Sequence, residues 1–96
     1  METRLLVPEL HGYLLSLALV LEQAGNGELA ERALSVSRLA SGSSSELYGE
    51  AEVLLSELFR RGAPGLSASD VTRLRYVLDG VAGELRRIGG ASRTTS

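Results

Sequence analysis

Cysteine, lysine and tryptophan are all missing from this 96-residue chain. Without cysteine there is no disulfide scaffold, no thiolate zinc site and no thiol nucleophile, and the chain suits a reducing compartment. With no lysine, all ten basic residues are arginine, outnumbered by twelve carboxylates for a net charge of −2. A mildly acidic chain gains nothing from the long-range attraction that nucleic-acid binding uses. Arg73, Arg75, Arg86 and Arg87 therefore read as solvated charge rather than phosphate contacts. Histidine occurs once, at His11. Although Glu9 lies nearby, no further ligand stands at helical spacing for a metal, and no Ser–Asp pattern accompanies it for a hydrolase. The Gly-x-Ser-x-Gly elbow, the phosphate-loop Gly-Lys-Ser/Thr and the Glu-x-x-His pair of di-metal bundles are also absent. Gly25-Asn26-Gly27 lacks the preceding strand and the glycine spacing of a nucleotide loop. The residues thus predict no enzyme, no cofactor and no metal site.

Long hydrophobic runs are lacking too. The longest, residues 13–21, reads Tyr-Leu-Leu-Ser-Leu-Ala-Leu-Val-Leu, with Ser16 its one polar member. It is too short to cross a bilayer, which takes about 20 residues. As an export signal it is interrupted upstream by Pro8, Glu9 and His11, and Glu22 would occupy the −3 site for cleavage after Ala24. A cytoplasmic protein is the expectation. A helix apolar on nearly every side must be surrounded by other elements, so this run is the predicted centre of the core.

The chain fits one small domain, residues 1–90, with a polar tail over residues 91–96 expected to be mobile. The first helix is predicted to start at Pro8, which suits a first turn, and to stop at Gly25-Asn26-Gly27. A second spans residues 28–40, with Leu29, Ala33, Val36 and Ala40 inward and Glu28 paired with Arg32. The third spans residues 45–61 after a Ser43-Ser44-Ser45-Glu46 capping box, burying Leu47, Ala51, Leu54 and Leu58. Gly62-Ala63-Pro64-Gly65 is the clearest loop. The fourth carries a heptad-like seam of Val71, Leu74, Leu78, Val81, Leu85 and Ile88, and Gly89-Gly90 is the predicted stop. Gly12, Gly80 and Gly83 lie inside helices, where they cost propensity and predict close backbone approaches. The result is an all-α, compact antiparallel four-helix bundle with short loops. Its first helix has more apolar surface than three partners cover, and a homodimer through residues such as Leu15 and Leu19 would bury the excess.

Three stretches resemble a family. Leu21-Glu22-Gln23-Ala24-Gly25, then Glu28-Leu29-Ala30, then residues 41–50, Ser-Gly-Ser-Ser-Ser-Glu-Leu-Tyr-Gly-Glu, look like the small all-helical immunity proteins encoded beside bacterial polymorphic toxins. In that pattern a long first helix ends in Ala-Gly, a short acidic helix follows, and a Ser/Gly segment opens the third. The similarity covers about a third of the chain. It lacks the strong acidity of many immunity proteins. The resemblance implies a cytoplasmic protein that occludes a cognate toxin domain, its carboxylates facing basic residues of the partner. The other reading is a small self-associating structural or regulatory module without enzymatic activity.

Residues 43–52 are the expected contact surface, through Ser43, Ser44, Glu46, Tyr48, Glu50 and Glu52. Capping explains one serine and one glutamate there. The remaining carboxylates, and a tyrosine with an apolar ring and a hydroxyl handle, are interface chemistry. Neither a nucleic acid nor a membrane is an expected partner.

Overall fold

The computed structural model describes residues 4–92, with side chains as far as Ile88. Its elements are all helical: α1 (Val7–Gln23), α2 (Gly27–Ser37), a 3-10 turn (Arg38–Ser41), α3 (Ser44–Arg60) and α4 (Ala68–Ser92). No strand occurs among the described residues, so the chain is an all-α four-helix bundle. Short loops turn each helix back on its predecessor. The closest pairs are α1 with α2 and α3 with α4. Ala18, Ala30 and Ala33 are buried, and such small residues let α1 and α2 lie near one another. Leu10, Leu14, Leu21, Leu47, Leu54, Leu55, Leu58, Leu74 and Val81 fill the centre, none more than 1% exposed.

Helix ends follow local chemistry. Glu9 reaches back to the Leu6 N–H at 3.0 Å, which ties down one of the unpaired donors at the start of α1. Gly25 closes α1 at φ +86°, a left-handed conformation that glycine adopts without a Cβ penalty. α2 tightens to a 3-10 turn earlier than its sequence predicts. Ser37 is buried and its hydroxyl bonds the Leu34 carbonyl at 2.6 Å, competing with the regular helical ladder. Ser43 is the cap of α3, accepting the Glu46 N–H at 3.4 Å. At α4 the box is reciprocal: Ser67 Oγ accepts the Asp70 N–H at 3.2 Å, and Asp70 accepts the Ser67 N–H at 3.3 Å.

Several expectations need correction. α4 does not stop at Gly89-Gly90 but runs to Ser92; glycine weakens a helix without ending it unless the backbone turns left-handed. The predicted tail is therefore helical over residues 91–92, and residues 93–96 lie outside the described residues. The inner line of α4 is Leu74, Val77, Val81 and Glu84, whereas Val71, Leu78, Leu85 and Ile88 are half-buried. The reason is that α4 covers the segment before α1 as well as α3, which rotates Val77 and Glu84 inward. Of the three mid-helix glycines only Gly80 makes a close approach: a Cβ there would sit 3.1 Å from that of Leu5. Gly12 faces open space and Gly83 meets only the tip of Arg86. Nor is α1 surrounded, since Leu15 and Leu19 are exposed. Four helices leave each one an outer face, and on α1 that face carries Leu15 and Leu19 beside Gly12, Ser16 and Glu22.

Candidate functional site

A ten-residue window on a helix winds through nearly three turns, and for that reason the predicted contact residues do not form one surface. Ser43 is consumed as the cap of α3. Ser44 is exposed, while Tyr48 is 4% exposed and Glu52 is half-buried on the same side of the helix. Glu46 and Glu50 point along the opposite flank, in line with Val53 and Glu57 at steps of four, three and four. This flank adjoins α2, because Arg32 Nη1 donates to Glu57 Oε1 at 2.9 Å. Arg61 holds the other oxygen at 2.7 Å. The Arg32 hydrogen bond, more than any other cause, keeps the Glu57 carboxyl below its ordinary range. With Glu57 matched by two arginines, Glu46 and Glu50 remain as outward acids, joined by exposed Glu28 one turn before Arg32. One turn beyond Glu50 stands Val53, 55% exposed. Reading the sequence for aromatic anchors misses Val53. Its signal was position: it lies seven residues after Glu46, off the Leu47–Ala51–Leu54–Leu58 stripe.

Tyr48 is a core residue, which corrects its assignment as an interface anchor. Its hydroxyl donates to the Leu5 carbonyl at 2.5 Å. The Leu5 N–H donates to Glu84 Oε2 at 3.2 Å, and Arg4 Nε donates to the same oxygen at 2.9 Å. Arg87 approaches it at 3.4 Å. Both peptide groups of Leu5 are thus held by side chains, one from α3 and one from α4, and Gly80 makes room for its Cβ. This node straps residues 4–6 across the bundle. Glu84 is buried, as a carboxylate can be only when paired.

The Arg4 hydrogen bond is the main reason the Glu84 carboxyl lies below its ordinary value of 4.5; burial opposes it and the Leu5 N–H assists. A carboxyl whose folded pKa is depressed contributes stability above its unfolded pKa and loses it as pH falls through the folded value. Thermal melting of the wild type should therefore weaken as pH drops below about 4.5. Glu84→Gln should be less stable at neutral pH and show a shallower acid limb. An acid limb identical to the parent's would mean that Glu84 does not carry this linkage.

A separate feature lies where α1 and α4 face each other across a wider gap. Tyr13, Ser16, Leu17 and Val20 of α1 line a groove of about 50 Å³ with Leu66 of the loop and Asp70 and Arg73 of α4. The Arg73 guanidinium sits 5.6 Å from the centre of the Tyr13 ring, within cation–π range. Burial pushes the Tyr13 phenol up to about 12, with Arg73 acting the other way and Asp70 adding to the rise. It is thus a protonated hydrogen-bond donor at any physiological pH.

His11 is half-buried on α1, and among the described residues no group of three His, Cys, Asp or Glu side chains could hold a metal ion. No helix among them is long and apolar enough to cross a membrane. No family model matches the chain, and neither a curated protein nor a solved structure matches it.

Proposed function

We propose that this chain is a cytoplasmic immunity protein of the antitoxin type, which binds a cognate bacterial toxin domain and occludes its substrate cleft. The observation that carries the reading is the preformed line of Glu46, Glu50 and Val53 on α3, two unmatched carboxylates followed one turn later by an exposed apolar side chain. A helix presents these groups without ordering cost, and the carboxylates suit a basic cleft. The family resemblance of residues 21–25, 28–30 and 41–50 supplies the class of partner.

The test is co-expression with the C-terminal domain encoded by the neighbouring gene. Growth should stop with that domain alone and resume with this chain present; a harmless neighbour, or one still toxic, defeats the reading. Within the pair, Glu50→Arg and Val53→Asp should each weaken binding by at least about tenfold while helicity stays at the parent's level. Arg75→Ala, on the outer face of α4, should bind normally.

The exposed pair Leu15 and Leu19, one turn apart on α1, favours a second reading, a self-associating helical module. Light scattering at two concentrations decides it. A dimer that Leu19→Arg converts to monomer supports self-association, and a monomer at both concentrations removes it.

A further inference from the structure

The groove between α1 and α4 lies away from the α2–α3 flank, and what it fits can be read from its size and its charges. At about 10–15 Å³ for each water-sized group, its roughly 50 Å³ takes about four heavy atoms. That is the size of a leucine or valine side chain. Leu17, Val20 and Leu66 give it apolar walls. Its rim carries one charge of each sign, Asp70 and Arg73, and the two are differently engaged. The Asp70 carboxylate accepts the Ser67 N–H at the start of α4. Arg73, by contrast, stacks on Tyr13 and forms no ion pair with any described carboxylate. The Tyr13 hydroxyl, a second donor in the lining, makes no hydrogen bond to a described residue. Both shoulders of the groove are apolar and open. Leu19, 61% exposed, stands three residues from Ser16 on α1, and Tyr76, 58% exposed, three residues from Arg73 on α4.

We propose that this groove is a docking site for the C-terminal residue of a partner polypeptide ending in leucine or valine, its side chain between Leu17, Val20 and Leu66 and its terminal carboxylate on Arg73 and the Tyr13 hydroxyl. A C-terminal residue is the one place where a peptide carries an aliphatic side chain and a full negative charge on the same Cα. Arg73 gives that charge a guanidinium already fixed by the ring beneath it, so little side-chain freedom is lost on binding. The site is independent of the α3 flank and stands whether or not a toxin is the partner.

Three small probes titrated into the isotope-labelled protein test it by NMR: N-acetyl-leucine, its neutral amide N-acetyl-leucinamide, and N-acetylglycine. N-acetyl-leucine should give saturable shifts at the amides of Leu17, Val20, Leu66 and Arg73, and should bind at least about tenfold more tightly than either control. Arg73→Gln should reduce N-acetyl-leucine to the level of its amide. Val20→Phe, which fills the groove, should abolish binding of both, and Ser16→Leu does the same from the exposed rim if Val20→Phe fails to fold. The proposal is overturned if the shifts fall elsewhere, if all three probes bind alike, or if Arg73→Gln keeps the preference for the carboxylate.

Discussion

Replacing Tyr48 with alanine should cost about 4 kcal/mol of folding stability, as large-to-small changes of buried aromatics do. The ring is almost wholly buried in the core cluster, so its loss leaves a void between α3 and the strap before α1. It also leaves the Leu5 carbonyl without its donor. A small domain holds only about 5–15 kcal/mol in all, so Tyr48→Ala should be partly unfolded at physiological temperature. Tyr48→Phe separates the two contributions. It keeps the packing and orphans only the carbonyl, which should cost about 1–2 kcal/mol. Urea unfolding of both variants, read by circular dichroism, measures the difference. A Tyr48→Ala protein as stable as the parent would place the ring on the surface after all.

The second large effect belongs to Gly65. It has φ +81°, and a Cβ there would lie 2.4 Å from the Cβ of Ala24 and 3.3 Å from the Asn26 amide nitrogen. Both neighbours belong to the turn between α1 and α2. Asn26 also donates its side-chain amide to the Pro64 carbonyl at 3.1 Å, so the two loops at this end of the bundle are fitted to each other. Gly65→Ala must bear left-handed strain of about 1–2 kcal/mol and overpacking of about 1–3 kcal/mol. We expect a total near 3 kcal/mol. Gly62 is the control, because its φ of +83° is similar while nothing lies within 4 Å of its would-be Cβ. Gly62→Ala should show the strain alone, about 1–2 kcal/mol. Equal losses in the two variants would mean that the loops do not press together.

Leu21, Ala24 and Gly25 show how local signals are legible. An apolar helix end followed by glycine predicts a left-handed stop, and Gly25 makes one. The Ser67–Asp70 box was equally readable, because both of its hydrogen bonds span only three residues. Tyr48 shows the opposite case. Its neighbours Ser44, Ser45, Glu46 and Glu50 are exposed polar residues, and from them an exposed ring was the natural reading. What buries it is a carbonyl 43 residues away. Nothing local marks Glu84 as a buried residue. Its partner Arg4 lies 80 residues off, and no pattern along the chain connects them. The groove under Arg73 likewise joins α1 to α4 and has no signature in either segment alone.

The number of helices, their approximate limits and their leucine stripes were therefore set by the sequence itself, since periodicity, caps and breakers act within a few residues of one another. The direction each flank faces was decided by tertiary structure alone. A flank is inside or outside according to which helix lies beside it, and α1 lies close to α2 and farther from α4. That arrangement left Leu19 in solvent, opened the groove beside Tyr13, and turned Tyr48 and Glu84 inward to hold Leu5. Each of these depends on contacts between segments distant in the chain, where the decisive quantity is the distance between helices and not the order of residues within one.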